Sequence, residues 1–146
     1  MVTSKYLTAR LNFLKENPYL IVIIIGVLVR IPLLFSYLTF SSDAWRQADT
    51  ASIAHHFYIN GYKILYPQIY WGGNSPGYVE TEFQLYTFIT SIMYYFFGEQ
   101  YWLGRLVSLG FSTLAWLFFY KLAMQVLGEA RQATWALFFL VFSPLY

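Results

Sequence analysis

Apolar positions gather into three long runs and one shorter one, and the sequence between the first two is polar and aromatic. The first run, Leu20 to Val29, continues through Arg30 and Pro32 to give an expected membrane-spanning helix over 19–40, about the length that a bilayer core requires. The run Phe83 to Phe97 is short and rich in Tyr and Thr. It is read as an amphipathic helix lying along a membrane face and ended by Gly98. Leu103 to Leu127 is long enough to cross with tilt. Residues 133–146 begin a third span that stops at the end of the chain, which leads us to expect a fragment of a larger protein.

The pattern therefore predicts an all-α integral membrane fold with about three transmembrane helices and an external loop carrying juxtamembrane helices. Residues 1–18 form a cytoplasmic amphipathic lead, 19–40 the first span, and 41–101 the external loop with helices at 43–59 and 82–97. Residues 102–127 form the second span and 133–146 the third. Charge sets the orientation. With 83–97 flat, Lys121 and Arg131 fall on the same side as Lys5, Arg10 and Lys15, as the positive-inside tendency prefers. No small-residue cleavage site follows the first run, so it reads as an uncleaved anchor. The expected location is a bacterial inner (plasma) membrane, multi-pass, with the N-terminus cytoplasmic and the 41–101 loop external.

Composition sharpens this picture. Hydrophobic residues make up 58% of the chain and charged residues 11%, against about 25% charged in a typical soluble domain. Aromatics reach 23%, which suits a protein with much surface at membrane–water interfaces. A net charge of +2 is too small to point to nucleic acid. The absence of cysteine removes disulfide and thiol chemistry. Arg30 within a span is costly. It either marks a functional site, snorkels to a headgroup, or pairs with a helix of the missing part of the fold.

Candidate chemistry lies in Ser41 to Glu82, which holds two aspartates, two glutamates and both histidines of the protein. Ser42 or Asp43 can cap a helix that Asn60-Gly61 stops. On it Arg46, Asp49, Ile53 and His56 follow spacings of three, four and three, and so share a face. A carboxylate beside a guanidinium stays ionised and oriented, as a general base requires. A plain helix ion pair has the same spacing. Asp43 is explained equally well as a cap. If 80–82 is extended, Glu80 and Glu82 point the same way and could bring a second carboxylate to the site. Lys63, Arg105 and the tyrosines could meet a lipid phosphate at headgroup level. His55 and His56 are adjacent, point in different directions and lack HExxH spacing, so no metal site is read. Trp71 to Tyr78 (WGGNSPGY) reads as a turn-rich loop and matches neither a Walker loop nor a dinucleotide fingerprint.

The ordered series WRQADTASIAHHFYINGYKILYPQI (Trp45–Ile69), GYVETEFQLY (Gly77–Tyr86) and FFGEQYWLGRLVS (Phe96–Ser108) resembles the GT-C membrane glycosyltransferases. It looks most like the family 39 group, which includes protein O-mannosyltransferases and lipid A aminoarabinose transferases, and within it the bacterial branch with a WRQxDTA loop. The resemblance covers residues 19 to 146 and would account for the N-terminal part of such an enzyme, inactive by itself. It implies a helical bundle that transfers a sugar from a polyprenyl-phosphate donor to a lipid, glycan or protein acceptor at the outer membrane face. It also implies an acidic catalytic residue early in the first external loop. Many members have an Asp-Glu pair there, whereas this chain has Asp43-Ala44 and, later, Arg46-Gln47. Asp49, within the WRQxDTA run, and Asp43 both remain candidates, with Glu82 at the second acidic motif. Arg46, His56, Glu80 and Arg105 are the candidate substrate-binding residues. No cofactor is assigned, and a divalent cation stays open because relatives differ in it. Two other classes fit the hydropathy: a small membrane scaffold that binds a partner through its external loop, and a channel or transporter fragment.

Overall fold

The computed structural model describes residues 16–36, 44–71, 73–80 and 82–143. They are all-helical apart from one isolated antiparallel bridge, Gln68 to Tyr78. The helices are α1 (Pro18–Leu34), α2 (Ala44–Asn60), α3 (Leu85–Phe97), α4 (Tyr101–Leu127) and α5 (Ala130–Val141). Two compact units divide the chain. One comprises Met1–Leu33 with Leu109–Tyr146, and the other is Leu34–Ser108. α4 passes from the second to the first.

α1 begins at Pro18, whose missing N–H and fixed φ suit a first helical position. It stops at Leu34, two residues after Pro32, and is 17 residues long. It is therefore shorter than the span expected over 19–40, of which 37–40 lie outside the described residues. Pro32 removes one backbone donor and loosens the turn before it, so an end here follows from the ring. α4 has 27 residues, roughly 40 Å of helix, and is the one described helix long and apolar enough to cross a membrane. Only 11% of its apolar window is buried within the protein. Gly128 ends it at φ +69°, its N–H donating to the Met124 carbonyl.

Within the first unit, Ile23, Trp116, Leu137 and Val141 form a buried cluster. Tyr19 and Tyr120 stack with ring centroids 4.0 Å apart. Arg30 donates to the Gly26 carbonyl at 3.1 Å and to the Val141 carbonyl at 2.7 Å, and its guanidinium lies 4.9 Å from the Trp116 ring. Arg30 therefore finds its partner on α5 of this chain, and not on a helix of a missing part of the fold. The cation answers a carbonyl at the C-terminal end of α5, where the helix dipole favours positive charge.

In the second unit, α2 packs on α3 through Ile53, Ala54 and Phe57. The buried face of α3 is Thr87, Thr90, Ser91 and Tyr94, at spacings that place them on one side of a helix. Every buried hydroxyl of that face on a Thr or Ser donates locally: Thr87 to Gln84, Thr90 to the Tyr86 carbonyl and Ser91 to the Phe88 carbonyl. Leu85, Ile92, Tyr95, Phe96 and Phe97 face outward instead. The helix is thus amphipathic with its polar side inward, the reverse of a helix covering a water-soluble core.

α2 ends as the Asn60-Gly61 pair predicts. Gly61 takes φ +89° and the Tyr62 N–H donates to the Phe57 carbonyl at 2.8 Å, the six-to-one bond of a Schellman cap. The following loop closes on itself through Ile69 N–H to the Gly77 carbonyl and Val79 N–H to the Pro67 carbonyl, at 2.9 and 3.0 Å. Gly77 sits at φ +68°, and a Cβ there would run into the Ile69 carbonyl, so this position requires glycine.

Candidate functional site

A cavity of about 600 Å³ in the second unit opens along the N-terminal half of α2 and is floored by the start of α3. Trp45, Arg46, Asp49 and Ile53 line it from α2, and Glu82, Phe83 and Tyr86 from the other side. The helical repeat places Arg46, Asp49 and Ile53 on this wall, as the spacing predicts. The ion pair differs from the one expected. Arg46 Nη2 bonds Glu82 Oε1 at 2.9 Å, and Asp49 has no ion-pair or hydrogen-bond partner among the described residues. With side chains 73% and 80% exposed, the Arg46–Glu82 bridge contributes little stability. It turns the guanidinium toward Glu82 on the other side of the cavity. Asp49 is half-buried on the same wall as Arg46.

A second cavity of about 220 Å³ shares Gln47, Thr50, Tyr86 and Ser108 with the first. Its remaining wall carries Thr90, Tyr94, Tyr101, Gly104 and Arg105. Gly104 allows the Tyr86 hydroxyl to come close, since a Cβ there would lie 2.7 Å from that oxygen. Arg105 lines this cavity but turns to the backbone, donating to the Leu34 carbonyl at 3.1 Å, to Ser36 Oγ at 3.0 Å and to the Ser36 carbonyl. The two adjoining cavities thus offer one carboxylate without a partner among the described residues, one bridged guanidinium and a bank of hydroxyls, a surface able to accept a proton and to hydrogen-bond a polyol.

Burial, then the nearby Glu99 charge and the phenols of Tyr86 and Tyr101, push the Tyr94 hydroxyl up from its ordinary 10.0 to about 12. The raised value means that the folded protein holds this proton longer than the unfolded chain does. Tyr94 therefore adds stability in full below pH 10 and loses it as pH rises through 12. The difference in 295 nm absorbance between wild type and Tyr94→Phe across an alkaline titration should show one tyrosine ionising near pH 12. A midpoint at the ordinary value would mean that this phenol is solvated.

The other predicted site residues lie elsewhere. His56 is on the same side of α2 but nearer its end. It lines a separate cavity, with Nδ1 2.8 Å from the Ser52 carbonyl. Glu80 lines a further hollow with Leu65, Tyr66 and Val79, so the two glutamates expected to act together part company. His55, not predicted as a site residue, pairs with Glu99 at 2.7 Å. Asp43 lies outside the described residues. Among the described residues no group of three His, Asp or Glu side chains could hold a metal ion. Sequence reasoning missed Ser108 and Tyr86 as cavity residues; only their place in the ordered series pointed to them.

No protein-family model, curated protein or solved structure matches the chain.

Proposed function

We propose that this chain works in a membrane glycosyltransferase that moves a sugar from a polyprenyl-phosphate donor to a lipid, glycan or protein acceptor at the outer membrane face. The observation that carries the reading is Asp49, half-buried on a cavity of about 600 Å³ beside the Arg46–Glu82 bridge and without a partner among the described residues. A polyprenyl-phosphate sugar has a good leaving group, so the main task is to activate the acceptor. Asp49 takes the acceptor hydroxyl proton as its oxygen bonds the anomeric carbon. The bond from that carbon to the phosphate oxygen breaks, and the electron pair leaves on polyprenyl phosphate. Arg46, bridged to Glu82, binds the donor phosphate before and during transfer. Asp43 is the alternative base.

The membrane setting draws support from α4, long and apolar enough to cross, and from the outward apolar face of α3, which suits a helix lying at the bilayer surface. In that arrangement α1, α4 and α5 are the transmembrane helices of a multi-pass inner-membrane protein, and the 41–101 loop is external. The reading is tested with membranes from cells with and without the gene, given labelled pentose and hexose donors on polyprenyl phosphate. Gene-dependent transfer of label to an acceptor is expected. Equal labelling in both membranes with every donor would remove the enzyme reading.

The exposed indoles of Trp45 and Trp71 favour one second reading, a non-enzymatic scaffold that binds a partner through the loop. In that case Trp45→Ala and Trp71→Ala abolish partner capture while Asp49→Ala and Glu82→Ala leave it intact.

A further inference from the structure

Apart from the Asp49 cavity, the end of α2 and the closed loop 67–79 enclose a hollow of about 170 Å³. His56, Asn60, Lys63, Tyr66, Gln68 and Tyr78 line it, over the buried ring of Phe57. Pockets for drug-sized molecules run from about 300 to 1,000 Å³, so this one has room for a single small ring.

Its polar groups are of both kinds. A carbonyl can only accept, so the 2.8 Å contact to Ser52 fixes the His56 proton on Nδ1 and leaves Nε2 as an acceptor. Asn60 Nδ2 donates to Gln68 Oε1 at 2.8 Å, and Gln68 Nε2 donates to the Pro76 carbonyl at 2.7 Å. These bonds hold both amides in place and leave Asn60 Oδ1 as an acceptor, with one N–H on each amide still to give. Lys63 adds an ammonium with no partner among the described residues. The Tyr66 and Tyr78 rings meet edge to face at 6.2 Å, and their hydroxyls both donate and accept. A fully ionised anion such as sulfate only accepts, and would leave the imidazole nitrogen and the amide oxygen unanswered. It would also face the carbonyl end of α2, where the helix dipole is negative. Hydroxyl groups around an apolar ring match donors, acceptors and aromatic edges together.

We infer that this hollow binds one sugar ring. Its part in catalysis, as the subsite for a glycan acceptor, rests on the transferase reading above; the binding itself does not.

The test uses the full chain in detergent micelles with its lysines ¹³C-dimethylated, so that Lys5, Lys15, Lys63 and Lys121 each give a signal. Lys63→Arg, which keeps the charge, identifies the Lys63 resonance by its loss. Methyl glycosides of glucose, galactose, mannose and arabinose, and separately inorganic phosphate, are the probes. At least one glycoside is expected to shift the Lys63 signal alone and saturably, with a Kd on the order of 1–10 mM. Tyr78→Phe, which keeps the ring, should weaken that binding about threefold to tenfold. Asp49→Asn should leave it unchanged, so failure of sugar binding and failure of sugar transfer are separate results. The inference is overturned if no glycoside moves the signal, if all four lysines move in parallel, or if phosphate moves it and no glycoside does.

Discussion

Asp49→Asn is expected to lower sugar transfer by about 10²- to 10⁴-fold, the usual contribution of a positioned general base. The substitution keeps the shape of the side chain and removes its ability to take a proton. Asp49 has no ion-pair partner to lose among the described residues, so the change should move stability by no more than about 0.5 kcal/mol. Glu82→Gln should behave differently. Glu82 reaches the reaction only through Arg46, so its loss frees the guanidinium without removing the base. A group that binds the donor phosphate equally before and during transfer acts on KM more than on kcat. Donor titrations in native membranes separate the two: a fall in kcat for Asp49→Asn, a rise in KM for Glu82→Gln. Wild-type kcat in Asp49→Asn would move the role of base to Asp43. Loss of both parameters in both variants would mean that the bridge and the carboxylate act as a unit.

Much of the helical plan is legible in the sequence. The helix read over 43–59 is α2, and the Asn60-Gly61 stop is the observed cap, because capping is decided by residues a few positions apart. What depends on distant neighbours was not legible. Helix spacing offered Asp49 to Arg46, three residues away, whereas the fold supplies Glu82, 36 residues on. His56 shares the side of α2 with Asp49, yet seven residues of rise, roughly 10 Å, separate them along the axis. Different chain segments cover the two ends: residues 82–84 near Asp49, and the 66–78 loop near His56. Glu80 stays with that loop, held by the Val79 N–H, while Glu82 has already reached Arg46. For α3, the 3.6-residue pattern showed two faces but not which one turns inward. Hydropathy alone would have buried Ile92 and Phe96 in place of Thr90 and Ser91. Small hydroxyl side chains let two helices approach closely, which accounts for their place between α2 and α3.

Trp116→Ala is expected to destabilise the unit built from α1, α5 and the C-terminal part of α4 by about 3 kcal/mol. Trp116 is 6% exposed, and its ring is shared by three kinds of neighbour: the buried side chains of Ile23, Leu137 and Val141, the backbone at Gly26, and the Arg30 guanidinium. Truncation leaves a cavity that Gly26, with no side chain, cannot fill. The loss lies at the low end of the range for Trp→Ala because lipid or detergent lessens the water-transfer part of the cost and leaves the packing part. Arg30 should prove coupled to it. Arg30→Met removes the bond to the Val141 carbonyl and the cation over the indole in one step. A double-mutant cycle by chemical unfolding in mixed micelles should give a coupling of about 0.5–2 kcal/mol between Arg30 and Trp116. Additive losses would show that Arg30 acts on the α5 carbonyl alone. A silent Arg30→Met would show that neither contact contributes, and would return this cation in an apolar helix to the class of residues kept for function.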